Sequence, residues 1–288
     1  MTTTARTILI TGASSGFGKL TASLLLRQGH RVIAALRGGP ERVRALYAPE
    51  ELESGRLTGL DLHMERPETF GAVRALIEER FDGRLDVLIN NAGYGLLAPA
   101  EDQSEETIRH QLEVNTIGPM LLIHQLLPAL RAARGRILNI SSAGGRVSFP
   151  FYAIYSASKF ALEGYSEGLA FELRPFGIQV GLVEPGGFNT GFSPTAARST
   201  ALVPAGSLYE ERSRAINRFL AGKAAELSAD PLIVARRLAR LCVRRRVPLR
   251  TLLGKEAKVM ILLRWLLPDR WRLWLVDRGF SKLMFEGQ

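Results

Sequence analysis

Tyr155 and Lys159 stand four residues apart in YSASK, and Ser142 precedes the tyrosine by thirteen residues. Four-residue spacing on a helix puts two side chains on one face, so an ammonium can lie beside a phenol. A free phenol titrates near pH 10 and is a poor proton-transfer group at neutrality. An ammonium at roughly 4 Å, with an effective dielectric of about 20, favours the phenolate by on the order of 4 kcal/mol, comparable to two or three pK units. The pair therefore predicts a proton-transfer centre whose tyrosine is brought down towards working pH by the lysine. Ser142 closes the apolar stretch GRILNIS and can hold a substrate oxygen next to the phenol. No GxSxG surrounds it and no histidine lies near it in the chain, so it is not read as a serine nucleophile.

A second constellation sits at the N-terminus. In TILITGASSGFG an apolar run from Thr7 to Thr11 leads directly into Gly12, Gly16 and Gly18, and a helix-compatible stretch follows from Lys19 to Arg27. A strand, a tight glycine loop and a helix start together aim backbone N–H groups and the positive end of a helix dipole at a phosphate.

With TGASSGFG, NNAG at 90–93, Asn115, Ser142, YSASK and PGGFNT at 185–190 in this order, the chain resembles the short-chain dehydrogenase/reductase family over about residues 5–250, and most closely its hydroxysteroid and retinol dehydrogenase branch. The resemblance implies a live oxidoreductase with Asn115, Ser142, Tyr155 and Lys159 as its catalytic tetrad. Tyr155 would exchange a proton with the substrate oxygen, Lys159 would lower the phenol and hold the nicotinamide ribose, Ser142 would orient the carbonyl, and Asn115 would fix a water behind Lys159. The same resemblance places Gly12, Ser14, Gly16, Phe17 and Gly18 along the pyrophosphate, Asp61 at the adenine, Asn91, Ala92 and Gly93 beside the nucleotide cleft, and Pro185, Gly186 and Thr190 at the carboxamide.

Charge indicates which dinucleotide. An NAD site usually carries a carboxylate at the end of the second strand to bond the ribose 2′-hydroxyl. Here RVIAALRGG offers Leu36 and then Arg37, and a guanidinium can pair with a 2′-phosphate. Ser14 can add a hydroxyl. NADP(H) is the expected cofactor.

Elements to position these groups are visible as alternating patterns. Strands are expected near 7–11, 31–36, 57–61, 86–90, 136–141 and 178–184. Helical periodicity lies in ERVRAL, FGAVRALIEERF, Glu105–Leu130 with Pro119 and Pro128 inside it, and Tyr155–Leu173. Strands alternating with helices and no linker imply one α/β domain built on a doubly wound, parallel, Rossmann-type sheet over residues 1–250, with a substrate lid at about 186–220 and a C-terminal extension at 251–288. Phe149, Phe151 and Tyr152 are candidates to line an apolar pocket before Tyr155.

The single Cys242 excludes an internal disulfide, and His30, His63, His110 and His124 lack ligand-like spacing, so no metal site is expected. With no run of eighteen apolar residues and no signal-like start, a cytoplasmic protein that does not span a membrane is expected. Residues 236–278 hold eleven Arg and two Lys against three acidic residues, which accounts for the whole net charge of +10, together with all three tryptophans, Trp265, Trp271 and Trp274. Such a segment suits packing over the substrate cleft or in a subunit interface, or an anionic membrane surface. Nucleic-acid binding is set aside because no recognised module accompanies the charge. The combined reading is an NADP(H)-dependent carbonyl reductase or alcohol dehydrogenase for a hydrophobic ketone/alcohol pair, working as a homodimer or homotetramer. A dinucleotide-binding sensor or scaffold, or an epimerase or dehydratase on the same scaffold, are the alternatives.

Overall fold

The computed structural model describes residues 4–190, 203–204, 206–221 and 228–285. Seven strands, β1 (Thr7–Thr11), β2 (Arg31–Leu36), β3 (Leu57–Asp61), β4 (Val87–Asn90), β5 (Arg136–Ile140), β6 (Gln179–Pro185) and β7 (Arg250–Leu253), form one sheet in the order β3-β2-β1-β4-β5-β6-β7, every pair parallel. The helices among the described residues are α1 (Gly16–Arg27), α2 (Gly39–Leu46), α3 (Pro49–Glu53), α4 (Phe70–Arg80), α5 (Glu105–Leu112), α6 (Gly118–Ala133), α7 (Ala153–Leu173), α8 (Glu210–Ala221), α9 (Leu232–Val243), α10 (Lys255–Leu266) and α11 (Asp269–Phe285).

The central strands are apolar on both faces because helices cover both. Alternate residues of β1 point opposite ways. Ile8 and Ile10 join Ala22, Leu25 and Leu26 of α1 and Val234 and Leu238 of α9 in one layer. Leu9 joins Val73 and Ile77 of α4, Leu122, Leu126 and Leu130 of α6, and Leu169 and Leu173 of α7 in the other. The doubly wound α/β expectation is met, and the strand order reverses between β1 and β4. That reversal opens a crevice at the strands' carboxyl ends, the place where such sheets bind ligands.

Two local features depart from the pattern read in the sequence. The stretch Glu105–Leu130 is broken by a π-helical turn, Glu113–Ile117, with Pro119 in the first turn of α6, where its missing N–H costs nothing, and Pro128 inside that helix. β7 is not among the expected strands, and a domain boundary after residue 250 falls inside it, since Arg250 pairs in register with Leu182 of β6. Most of the expected lid, residues 191–202 and 205, lies outside the described residues; α8 belongs to its far end.

Candidate active site

The glycine loop is shaped by close approaches that no other residue permits. Gly12 has φ +66° and Gly16 φ +51°. A Cβ on Gly12 would stand 2.8 Å from Ala92 Cα, and one on Gly18 would stand 2.5 Å from both the Gly12 carbonyl oxygen and Asn91 Nδ2. Asn91 then ties the ends of β1 and β4 together. Its Nδ2 donates to the carbonyls of Thr11 (2.9 Å) and Gly12 (3.1 Å), while Thr11 Oγ1 accepts from the backbone N–H groups of Asn91 and Ala92, both at 3.0 Å. α1 carries no acidic residue in its first turn and no side-chain cap. A phosphate fits there: the helix start supplies N–H donors and the positive dipole end, with no carboxylate opposing it.

PGGFNT comes back across this loop. The rings of Phe17 and Phe188 meet edge to face at 5.8 Å, and a Cβ on Gly16 would lie 3.4 Å from Thr190 Cβ. Pro185 ends β6, Gly186 N–H donates to the Leu253 carbonyl at 2.8 Å, and Gly187 N–H donates to Glu256 Oε1 at 2.9 Å. Thr190 and Phe188 thus border the glycine loop, while Pro185 and Gly186 lie where β6 meets β7 and α10. Glu256, on the first turn of α10, is not marked by any motif. It belongs to an extension whose contact with this turn no spacing rule signals.

At the end of β2, Arg37 is exposed and its carbonyl accepts from Arg42 Nη1 at 3.3 Å. Asp61 lies opposite Leu36 in the β2–β3 register, and its Oδ1 accepts the Gly38 N–H at 2.8 Å. The residues of β2 itself offer no carboxylate here; parallel pairing brings Asp61 to this end from β3. One of its oxygens is occupied in fixing the turn that carries Arg37.

The expected tetrad comes from three elements. Ser142 follows β5 and caps the short turn Ala143–Gly145, its Oγ accepting the Gly144 N–H at 3.0 Å. Gly144 makes room for the phenol: a Cβ there would lie 3.2 Å from Tyr155 Cε1 and 3.4 Å from Ser142 Oγ. Tyr155 and Ser142 hydrogen-bond through their side chains. Tyr155 and Lys159 are both 6% exposed on α7. Asn115 sits within the π-helical turn. Its Oδ1 accepts Tyr94 N–H (3.1 Å), and its Nδ2 donates to the Tyr94 carbonyl (2.9 Å) and to Ser158 Oγ (3.1 Å). Gly93 faces the pair, since a Cβ there would be 3.1 Å from Asn115 Oδ1 and 3.5 Å from Lys159 Nζ.

The protonation balance differs from the one the spacing predicts. Burial pushes the Tyr155 phenol well above its ordinary value, the Ser142 hydrogen bond opposes this, and Tyr152 adds to it. Lys159 is not what sets the phenol here. Its Nζ donates to the Ile140 carbonyl at 2.8 Å, and burial lowers it to about 8 against the pull of Glu163. Desolvation wins for both groups because each is removed from water. At neutral pH the site therefore holds a protonated phenol beside Ser142 and an ammonium on β5's last carbonyl.

Phe149, Tyr152 and Tyr155 form a chain of edge-to-face rings, 5.6 and 5.9 Å between centroids. Phe151, with φ +68°, packs its ring edge-on against Tyr209 at 6.2 Å. Tyr152 therefore borders the phenol with Phe149 on its far side, while Phe151 reaches the chain just before α8.

Behind Lys159 lies a buried charge cluster that no sequence motif discloses. Glu184 of β6 is 0% exposed and Glu163, one turn after Lys159, is 5% exposed. Arg250 Nε lies 2.9 Å from Glu163 Oε2 and 3.4 Å from Glu184 Oε1, its Nη2 reaches Glu167 at 2.6 Å, and Arg146 Nη1 stands 3.6 Å from Glu184. Burial and the neighbouring Glu163 push Glu184 up to about 7, against Arg146 and Arg250.

Comparison with known proteins agrees with this geometry. The short chain dehydrogenase family model matches residues 6–200. The 3-ketodihydrosphingosine reductase of Bacteroides thetaiotaomicron is 46% identical over 187 residues, 65% of this chain and 65% of that one. Human 17-beta-hydroxysteroid dehydrogenase type 1 is 40% identical over 199 residues, 65% of this chain and 58% of that one. The chain thus spans less than two thirds of the length of these two curated relatives. A short-chain dehydrogenase from Sphingobium yanoikuyae, solved in complex with NADPH, is 27% identical with a TM-score of 0.69, covering 94% of this chain and 95% of that one. The fold, the glycine-shaped crevice and the matched residues together show that this chain belongs to the short-chain dehydrogenase family of oxidoreductases.

Proposed function

We propose that the protein is an NADP(H)-dependent carbonyl reductase that acts on a hydrophobic ketone and its alcohol. The observation that carries this reading is the buried Ser142–Tyr155 hydrogen bond, with Lys159 one turn away on the same face of α7. A bound dinucleotide would supply hydride. The chain's own residues would do the rest. Ser142 orients the carbonyl oxygen, and Tyr155, kept protonated by burial, delivers its proton to that oxygen. Lys159 as an ammonium supports the phenolate left behind, and Asn115 holds the segment Gly93–Tyr94 against the lysine. In the opposite direction Tyr155 as the phenolate would accept the alcohol's proton.

NADP(H) is favoured over NAD(H) by Arg37 after β2 and Arg42 on α2, with Ser14 in the glycine loop and one Asp61 oxygen engaged by Gly38. Gly12, Gly16, Phe17, Gly18, Asn91, Ala92 and Gly93 would border the dinucleotide, and Pro185, Gly186 and Thr190 its carboxamide. A hydrophobic substrate is supported by the Tyr152 ring beside Tyr155, backed by Phe149, and by the relatives named for a ketodihydrosphingosine and a hydroxysteroid. The reading extends to a cytoplasmic homo-oligomer, for which Leu121 on α6 and Phe171 on α7 leave apolar side chains exposed. Titration of the purified protein with NADPH and NADH, followed by absorbance at about 340 nm against a panel of long-chain 3-ketones, ketosteroids and retinoids, tests the proposal. NADPH oxidation with at least one panel ketone is expected. Binding without turnover of any of them would favour a dinucleotide sensor instead.

A further inference from the structure

α10 and α11 form a hairpin at the end of the described chain, joined through Leu267 and Pro268. It meets the body of the protein along one stripe of α10, and α11 also touches α8. Ala257 and Ile261 are buried, and Met260, Leu263 and Leu267 face Val147, Leu275 and Val276 across a small apolar gap. The large apolar side chains otherwise face outward. Trp265 is 76% exposed, Leu266 68%, Trp271 59% and Trp274 51%, with Val259 and Leu262 beside them. Eight of the fifteen large exposed apolar side chains among the described residues belong to this hairpin. All three tryptophans are thus more than half exposed.

Charge says what covers this surface. Lys255, Lys258, Arg264, Arg270, Arg278 and Lys282 are all exposed along the two helices. Of the three carboxylates among them, Glu256 is bonded to the Gly187 N–H and Asp269 pairs with Arg272 at 2.7 Å, which leaves Asp277. Arg264 lies over the Phe160 ring at 5.5 Å and Arg278 over the Trp274 ring at 5.6 Å, so guanidinium and aromatic groups occupy the same level. A second copy of this chain docking face to face would set like charges against each other. No described helix is long and apolar enough to cross a membrane. Aromatic rings with one wet and one apolar side, interleaved with basic side chains, match the headgroup zone of an anionic bilayer.

We propose that the α10–α11 hairpin is an interfacial binding surface for anionic phospholipid membranes, with Trp265, Trp271 and Trp274 at headgroup depth and the arginines and lysines on the phosphates. The surface is continuous with the active site. α10 packs against the turn Ala143–Gly145 that follows Ser142, and Glu256 in its first turn holds Gly187 in the segment proposed for the carboxamide. A membrane-bound hairpin therefore sets the crevice next to the bilayer, where a long-chain or steroid ketone is dissolved; this last clause rests on the hydrophobic-substrate reading.

The full chain tests this with extruded vesicles of phosphatidylcholine alone or mixed with phosphatidylglycerol, by co-sedimentation and by quenching of tryptophan fluorescence with bromine-labelled acyl chains. Binding to the anionic vesicles at low salt is expected, with loss of at least about tenfold in affinity at high salt, on pure phosphatidylcholine, and in the triple variant Arg264→Gln, Arg270→Gln, Arg278→Gln. The triple variant Trp265→Ser, Trp271→Ser, Trp274→Ser, which has no tryptophan left and is followed by co-sedimentation, is expected to lose binding while keeping the wild-type far-ultraviolet circular dichroism and melting transition, which show that it is folded. Absence of wild-type binding to anionic vesicles at low salt overturns the proposal, as does binding that neither triple variant weakens. So does a concentration-dependent dimer that the tryptophan variant dissolves in the absence of vesicle binding. Vesicle binding needs no turnover, so its failure and a failure of the reductase assignment are read separately.

Discussion

At the scale of residues, burial decides what the site's titratable groups do. The sequence shows Tyr155 and Lys159 on one helical face, which suggests a lysine-lowered phenol. In the folded chain both groups lose water, the phenol rises, and the lysine falls to about 8. What four-residue spacing could not disclose is the Ile140 carbonyl that accepts from the lysine, because that contact comes from β5. Glu184 is a sharper case: nothing in its neighbourhood in the chain shows that Glu163, Arg146 and Arg250 converge on it from three other segments. Its folded pKa of about 7 lies above the carboxylate's ordinary 4.5. Between those values the folded state binds more protons than the unfolded one, so stability falls as pH rises from about 4.5 to about 7. Glu184→Gln should flatten that part of a profile of Tm against pH; an unchanged slope would show that the proton is held elsewhere. Arg37→Asp should shift the kcat/KM preference from NADPH towards NADH by about tenfold or more, the worth of one charge-assisted phosphate contact.

Elements were legible where burial writes a long signal. Strands β1 to β6 read as apolar runs bounded by turn residues, and the structure moves their ends by at most one residue. β7 escaped because it is four residues long, starts with an arginine that serves the Glu163–Glu184 cluster, and pairs only at the sheet's edge. The π-helical turn that carries Asn115 escaped because its side-chain periodicity continues that of the flanking helices. Glycine positions are the most informative at this scale. Gly18 lets α1 begin against the Gly12 carbonyl and Asn91. Gly18→Ala forces backbone apart there. It should cost about 1 to 3 kcal/mol of stability and weaken NADPH binding, measured by chemical denaturation and fluorescence titration. A variant with unchanged affinity would mean that the loop does not hold the dinucleotide.

The whole molecule separates into a nearly neutral body and a basic C-terminal third. All of the formal net charge of +10 is accounted for by residues 236–278. Part of that charge is structural, because Arg250 pairs with Glu163, Glu167 and Glu184 behind Lys159. The body in turn anchors the start of this third: Arg136 Nη1 donates to the carbonyls of Leu241 (2.8 Å) and Arg244 (2.6 Å) at the end of α9. Six further arginines, Arg236 to Arg246, lie on α9 and just after it, and the other six basic residues of the segment lie with its three carboxylates on α10 and α11 beside exposed tryptophans, adjoining the turn that follows Ser142. Composition revealed the amount and place of this charge; whether the tryptophans faced inward or outward depended on the fold.

The most direct test of the account is Tyr155→Phe beside the wild type, comparing NADPH affinity with NADPH-dependent reduction of the best ketone found. The substitution removes one hydroxyl from a buried ring, so the fold and cofactor affinity should change little. Turnover should fall about 10² to 10⁴-fold, the usual contribution of a positioned general acid. A Tyr155→Phe variant that reduced the ketone at the wild-type rate would contradict the assignment of Tyr155 as the proton donor.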